Sequence, residues 1–186
     1  MTDSALIVID VQTGFEDPYW GPPNNPAALD NIARLVAGWQ AADQPIVLVR
    51  HDSVEARSPL RPDAPGNAFY PVLDDVEPAL LITKSVNSAF HGDPDLHAWL
   101  LAKGIADIVL AGIQTNMCVE TTARVGGNLG HRVGVAVDAT RTFDLAGPDG
   151  STLTADELTR ATVTNLHGGG FARIVTTDEA LRDLSN

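Results

Sequence analysis

Short apolar runs rich in β-branched residues alternate with helix-periodic stretches along this chain, and no other feature narrows its fold as much. Residues 5–9 (ALIVI), 46–49 (IVLV), 80–83, 108–111, 133–137 and 172–175 read as six strands. Continuous rather than alternating apolar runs are what strands covered on both faces require. Between the first two, Leu29, Ile32, Ala33 and Val36 recur at helical spacing after Pro26, with Asn24 or Asn25 placed to cap the start. Residues 93–102 form a second helix with Leu96, Trp99 and Leu100 on one side, and 118–129 a third that stops at Gly130. Thr154-Ala155-Asp156-Glu157 is a capping box that opens a fourth. This alternation predicts one domain, a Rossmann-like three-layer α/β/α fold around a six-stranded, mostly parallel sheet. A chain of 186 residues is the right size for one such core.

Sheets of this kind bind ligands beyond the carboxyl ends of their strands. Asp10 ends the first predicted strand, Lys84 follows the third, and Cys118 lies just past the fourth. Three residues distant in sequence are therefore expected at one edge. Each has an ordinary reading beside the chemical one. Cys118 opens a helix, with Asn116 as candidate N-cap. There the macrodipole favours thiolate and free N–H groups can hold an oxyanion; a lone cysteine is also a common buried apolar side chain. Asp10 either caps its loop through Gln12 or Thr13, or takes a proton from the thiol. Lys84 is either a solvated cation or the partner that keeps a carboxylate and a thiolate charged.

Other residues belong to the same edge. Phe15, Tyr19 and Trp20 follow the first strand, Phe90 the third and Phe143 the fifth. They either enclose a small substrate or pack the core, with Phe15 and Phe90 nearest the reactive positions. Gln114 and Asn116 bond a substrate or cap the turn, and His51 lines the mouth or is structural. The stretch 51–71, rich in Pro, Ser and Gly, is long for a connection and is expected to act as a lid.

The formal net charge of −12 argues against nucleic acid and anionic membranes as partners and leaves small molecules open. A single cysteine forbids an intrachain disulfide and suits a reducing compartment. The polar start, Met1 to Ser4, carries no secretory pattern and no apolar run is long enough to span a bilayer, so a cytoplasmic protein is expected.

The segments Ala5-Leu6-Ile7-Val8-Ile9-Asp10-Val11-Gln12, Lys84-Ser85-Val86-Asn87-Ser88-Ala89-Phe90 and Ala111-Gly112-Ile113-Gln114-Thr115-Asn116-Met117-Cys118-Val119-Glu120 together resemble the isochorismatase-like cysteine hydrolases. Asp138-Ala139-Thr140 and Asn165-Leu166-His167 continue the likeness through the last strand. The resemblance implies that Cys118 attacks an amide, carbamoyl or lactam carbonyl to form an acyl-enzyme. Asp10 acts as base and then acid, and Lys84 stabilises the ionised pair. It further implies a cis peptide at Ile113–Gln114, with the N–H groups of Gln114 and Cys118 forming an oxyanion hole. It implies a homodimer or homotetramer that needs no cofactor. Nicotinamidases of the family hold a metal through Asp-x-His after the second strand. Here Val49-Arg50-His51-Asp52-Ser53 stands instead, resembling the metal-free branch with N-carbamoylsarcosine amidase and streptothricin hydrolase, so no metal is expected. Gly168-Gly169-Gly170 precede Phe171 where relatives carry Glu, which suggests a flexible helix exit. Three other readings stay open. Vinyl-ether hydrolysis of isochorismate is one, though members with that activity lack a nucleophilic cysteine. A non-catalytic small-molecule-binding module and a redox-sensing thiol are the others.

Overall fold

The apolar runs form parallel strands in a computed structural model that describes residues 4–184. β1 (Ser4–Ile9), β2 (Ile46–His51), β3 (Leu80–Lys84), β4 (Asp107–Ile113) and β5 (Arg132–Arg141) precede a small antiparallel ribbon, β6 (Leu145–Ala146) with β7 (Thr152–Leu153), and a last strand, β8 (Arg173–Val175). The six-stranded sheet runs β3-β2-β1-β4-β5-β8, every pair parallel. From β1 the chain first builds outward to β3, then returns to the other side of β1 and builds outward to β8. The carboxyl ends of β1 and β4 are thus the switch point, where the crevice of such a sheet opens.

Alternation along β1 assigns its two faces. Leu6 and Val8 pack with Ile32, Leu35, Val36 and Trp39 of α1 (Ala28–Ala41) and Ala180 of α5 (Thr177–Leu184). Ala5, Ile7 and Ile9 pack with Leu96 and Leu100 of α2 (Leu96–Lys103), Ala123 of α3 (Glu120–Asn128) and Leu166 of α4 (Ala155–Gly168). The buried α1 residues fall at i, i+3, i+4 and i+7, and fully burying a large aliphatic side chain is worth about 1.5–3 kcal/mol.

The expected helix starts hold in part. Thr154 caps α4 reciprocally with Glu157, as its pattern predicts. At α1 neither asparagine caps: the cap residue is Ala27, and Asn25 instead has φ 48° and donates its amide to the carbonyls of Asp138 and Thr140 at 2.9 and 2.6 Å. That side chain ties the loop after β1 to β5, a partner more than 110 residues away that no local pattern reveals. At the exit of α4 the three glycines are exposed and differ: Gly168 and Gly170 have open space beside them, whereas a Cβ on Gly169 would fall 2.4 Å from the ring of Phe171, which in turn lies under the Arg124 guanidinium. The 51–71 stretch folds back on the exit of β1. Buried Asn67 donates to the carbonyls of His51 and Leu60, and a Cβ on Gly66 would meet Gly14 at 2.5 Å.

Candidate active site

The switch point is built under backbone constraint. Gly112 of β4 lies in register with Ile9, has φ 129°, and a Cβ there would sit 2.0 Å from the Ile9 carbonyl oxygen, so only glycine permits the approach. One residue beyond Ile9, Asp10 takes φ 51° while its N–H donates to the Val49 carbonyl at 2.9 Å. This turns its carboxylate out of the β ladder and across the carboxyl edge. Gln12, fully buried, fastens that edge from below: its side chain accepts from the His51 N–H at 2.8 Å and donates to the carbonyls of His51 and Asn67.

Lys84 closes β3 in register with His51. Its ammonium donates to Asp10 Oδ2 at 2.6 Å, to His51 Nδ1 at 3.1 Å and to Cys118 Sγ at 3.4 Å. An ammonium has three donors and no acceptor, and here three acceptors meet it. The Lys84 and Asp10 side chains are wholly buried. The expected helix start at Cys118 is a single wide π-turn, Thr115–Val119, in which the Val119 N–H reaches back five residues to the Gln114 carbonyl at 3.1 Å. Such turns are rare and cluster at functional positions. The extra residue displaces Asn116 from the N-cap role, and its Oδ1 instead accepts from the Thr142 hydroxyl. The Ile113–Gln114 peptide is cis.

The sulfur is not sealed in hydrocarbon. Besides Lys84, Asn87 Oδ1 lies 3.9 Å away, and the residue keeps 7% of its surface exposed. Burial, reinforced by the Asp10 charge, pushes the Cys118 thiol up, and Lys84 only partly opposes this. Burial likewise raises the Asp10 carboxyl against the pull of Lys84. The net direction is upward, opposite to the one that a helix start alone suggests. His51 is lowered to about 4, first by burial and then by the Lys84 charge, so at neutral pH its Nδ1 is a free acceptor. Asp10 Oδ1 is buried with no hydrogen-bond partner among the described residues.

The oxygen, nitrogen and sulfur donors of Asp10, His51 and Cys118 lie within 4.8 Å of one another, a spacing that would suit a metal ion. The Lys84 ammonium bonds all three, so the set holds a cation already supplied by the chain.

The remaining candidates divide. His51 joins the cluster directly instead of lining a mouth. Phe15 stacks on Phe143 with centroids 5.9 Å apart and touches Trp20 at 5.0 Å, forming one aromatic group beside β1. Phe90 is not part of it: its ring stacks on His131 at 5.6 Å and covers Gly126 of α3. Gln12, Asn87 and Arg141 were not singled out from the sequence. Their signal was position alone, immediately past the ends of β1 and β3 and at the end of β5.

The isochorismatase domain model matches residues 4–175. The chain belongs to the isochorismatase family. Among solved structures, an isochorismatase-family hydrolase assigned in Chromobacterium violaceum superposes with a TM-score of 0.91 at 38% identity, covering 99% of this chain and 94% of that one. The isochorismatase family protein YrdC of Bacillus subtilis, itself uncharacterized, is 33% identical over 96% of this chain and 95% of its own length. The ureidoacrylate amidohydrolase of Methylorubrum extorquens is 31% identical over 78% of this chain and 71% of its own. As an isochorismatase-family hydrolase, the chain places its buried charges at the switch point of the family's sheet. No helix among its described residues is long and apolar enough to cross a membrane.

Proposed function

We propose that this chain is a cysteine amidohydrolase that cleaves a C–N bond of a small amide, carbamoyl or lactam substrate. The observation that carries the reading is the single ammonium of Lys84 bonded to both Asp10 and Cys118, at 2.6 and 3.4 Å, with all three side chains buried at the switch point. A relative named as an amidohydrolase adds support.

The chemistry follows from the geometry. Cys118 Sγ attacks the carbonyl carbon as Asp10 Oδ1, an acceptor without a partner among the described residues, takes the thiol proton. The carbonyl oxygen becomes an oxyanion facing the N–H groups of Gln114 and Cys118. Collapse breaks the C–N bond, and the proton on Asp10 passes to the leaving nitrogen. Asp10 then deprotonates water as it attacks the thioester. The carboxylic acid leaves, and the expelled sulfur recovers the proton from Asp10. Lys84 remains an ammonium throughout and offsets the negative charge as it moves between Asp10 and the sulfur. Neutral His51 accepts the third Lys84 hydrogen and so aims the other two. No cofactor enters the scheme.

Ammonia release from a panel of primary amides and carbamoyl compounds, and ring opening of lactams followed as new amine, test the proposal. Turnover of at least one class, lost in Cys118→Ala, is expected. Turnover that survives in Cys118→Ala, or vinyl-ether cleavage without amide cleavage, would overturn it.

A further inference from the structure

Arg141 ends β5 on the same carboxyl edge, in register with Ile113 and so one residue from Gln114. Its neighbours are fastened to the turn that carries the sulfur: Thr115 donates to Thr140 at 2.9 Å, and Thr142 donates to Asn116. Arg141 is only 8% exposed. One of its terminal nitrogens donates to the Tyr70 hydroxyl, and its guanidinium carbon lies 5.2 Å from the centre of the Tyr70 ring. Among the described residues its buried Nε has no hydrogen-bond partner and no carboxylate comes within 4 Å of the guanidinium. Arg34, Arg50, Arg61, Arg124, Arg132 and Arg173, all more exposed, each hold an Asp or Glu.

A guanidinium does not shed its charge when buried, so an unpaired one is costly. Proteins bury such a cation where an anion will meet it, and the planar fork suits a carboxylate in bidentate geometry. The Tyr70 hydroxyl supplies a further polar group beside the fork. Phe15 and Phe143, stacked and buried in the core at the same edge, make its surroundings apolar. Exposed Glu16 also interacts with the Tyr70 hydroxyl and competes for it from the solvent side.

We infer that Arg141, with Tyr70, forms a carboxylate subsite, so that the substrate hydrolysed at Cys118 is an amide bearing a free carboxylate. This rests on the amidohydrolase reading above. It adds a substrate class to that reading: short acids whose amide lies a few bonds from an anionic group.

The test pairs three monoamides (malonamate, succinamate and glutaramate) with their neutral diamides (malonamide, succinamide and glutaramide). For at least one chain length, kcat/KM of the monoamide should exceed that of the diamide by about 10²-fold or more, because the unpaired cation rejects a ligand that cannot meet it. In Arg141→Met that preference should vanish. Equal rates within every pair, or a preference that survives in Arg141→Met, would overturn the subsite while leaving the amidohydrolase reading intact. Calorimetric binding of the same compounds to Cys118→Ala separates the two claims. Monoamide binding that requires Arg141 supports the subsite even if no panel member is turned over, and monoamides that bind no better than diamides overturn it. Without ligand, the melting temperature of Arg141→Met should match or exceed that of the parent, since an uncompensated buried charge has been removed. A fall of more than about 5 °C would instead mark Arg141 as a structural strut and overturn the assignment.

Discussion

The two edges of the sheet handle charge in opposite ways. At the amino edge a groove of about 630 Å³ opens between β4, β5, β8 and α5, lined by Ser4, Asp107, His131, Arg132 and Arg173 among others. Its ion pairs, Arg132–Asp107 and Arg173–Asp183, stand in solvent. At the carboxyl edge the Asp10–Lys84 pair is wholly buried, Asp10 and Gly112 take positive φ, and two buried polar atoms, Asp10 Oδ1 and Arg141 Nε, have no partner among the described residues. Open grooves lie at both edges, a second one between Thr13, Gly14, Pro59 and Pro65 past β1, but the buried unpaired chemistry lies only at the carboxyl edge among the described residues. That chemistry is the better guide to function, because buried charges and strained residues are retained where they do something.

Substitutions that treat the edges alike should expose this difference. Cys118→Ala is expected to cost at least about 10³-fold in turnover. Asp107→Asn in the amino-edge groove should leave kcat and KM within experimental scatter. A comparable loss from Asp107→Asn would erase the distinction.

Lys84→Met should abolish turnover and destabilise the fold by about 3–5 kcal/mol, because it leaves Asp10 buried without its cation. The double variant Asp10→Asn/Lys84→Met should recover most of that stability in denaturant titrations and none of the activity. Recovery of both would mean that the ion pair is scaffold alone.

Glycines sharpen the contrast on the backbone. Gly112→Ala should cost about 3 kcal/mol or more, since its Cβ would overlap the Ile9 carbonyl oxygen at positive φ. Gly134→Ala, on the amino half of β5 with its nearest atom at 3.6 Å, should change stability by less than about 1 kcal/mol.

The smallest effect concerns His51. Its value in the fold, about 4, lies below the ordinary 6.5, so the unfolded chain binds the proton more readily. The stability it contributes is complete above pH 6.5, is lost as the pH falls from 6.5 toward 4, and changes no further below that. His51→Gln should flatten this part of the melting-temperature profile, and kcat should fall with little change in KM as Lys84 loses an acceptor. A rise in KM alone would make His51 a substrate contact instead.

What the sequence made legible follows from which interactions are local. The strands announced themselves as apolar runs, and placing Asp10, Lys84 and Cys118 past three strand ends required only the rule for parallel sheets. The π-turn escaped because one inserted residue leaves no periodic mark, and it moved Asn116 off the cap position. α5 was legible and was passed over: Thr176 and Glu179 form the same reciprocal cap as at α4, to which Asp138 adds an acceptor for the Thr177 N–H from 39 residues away. Phe90 sat near Lys84 in sequence, yet its ring turns toward Gly126 and His131, a choice set by tertiary packing. The elevated thiol value was hidden for the same reason: helix position is readable in sequence, and desolvation is not.

The central claim is that Cys118 becomes acylated during turnover. Rapid acid quench of the enzyme with its best amide substrate, followed by peptide mass spectrometry, measures this directly. The account predicts the acyl mass on the peptide containing Cys118, and its disappearance in Cys118→Ala together with product formation. Continuing product formation with Cys118 unmodified at every quench time would contradict it.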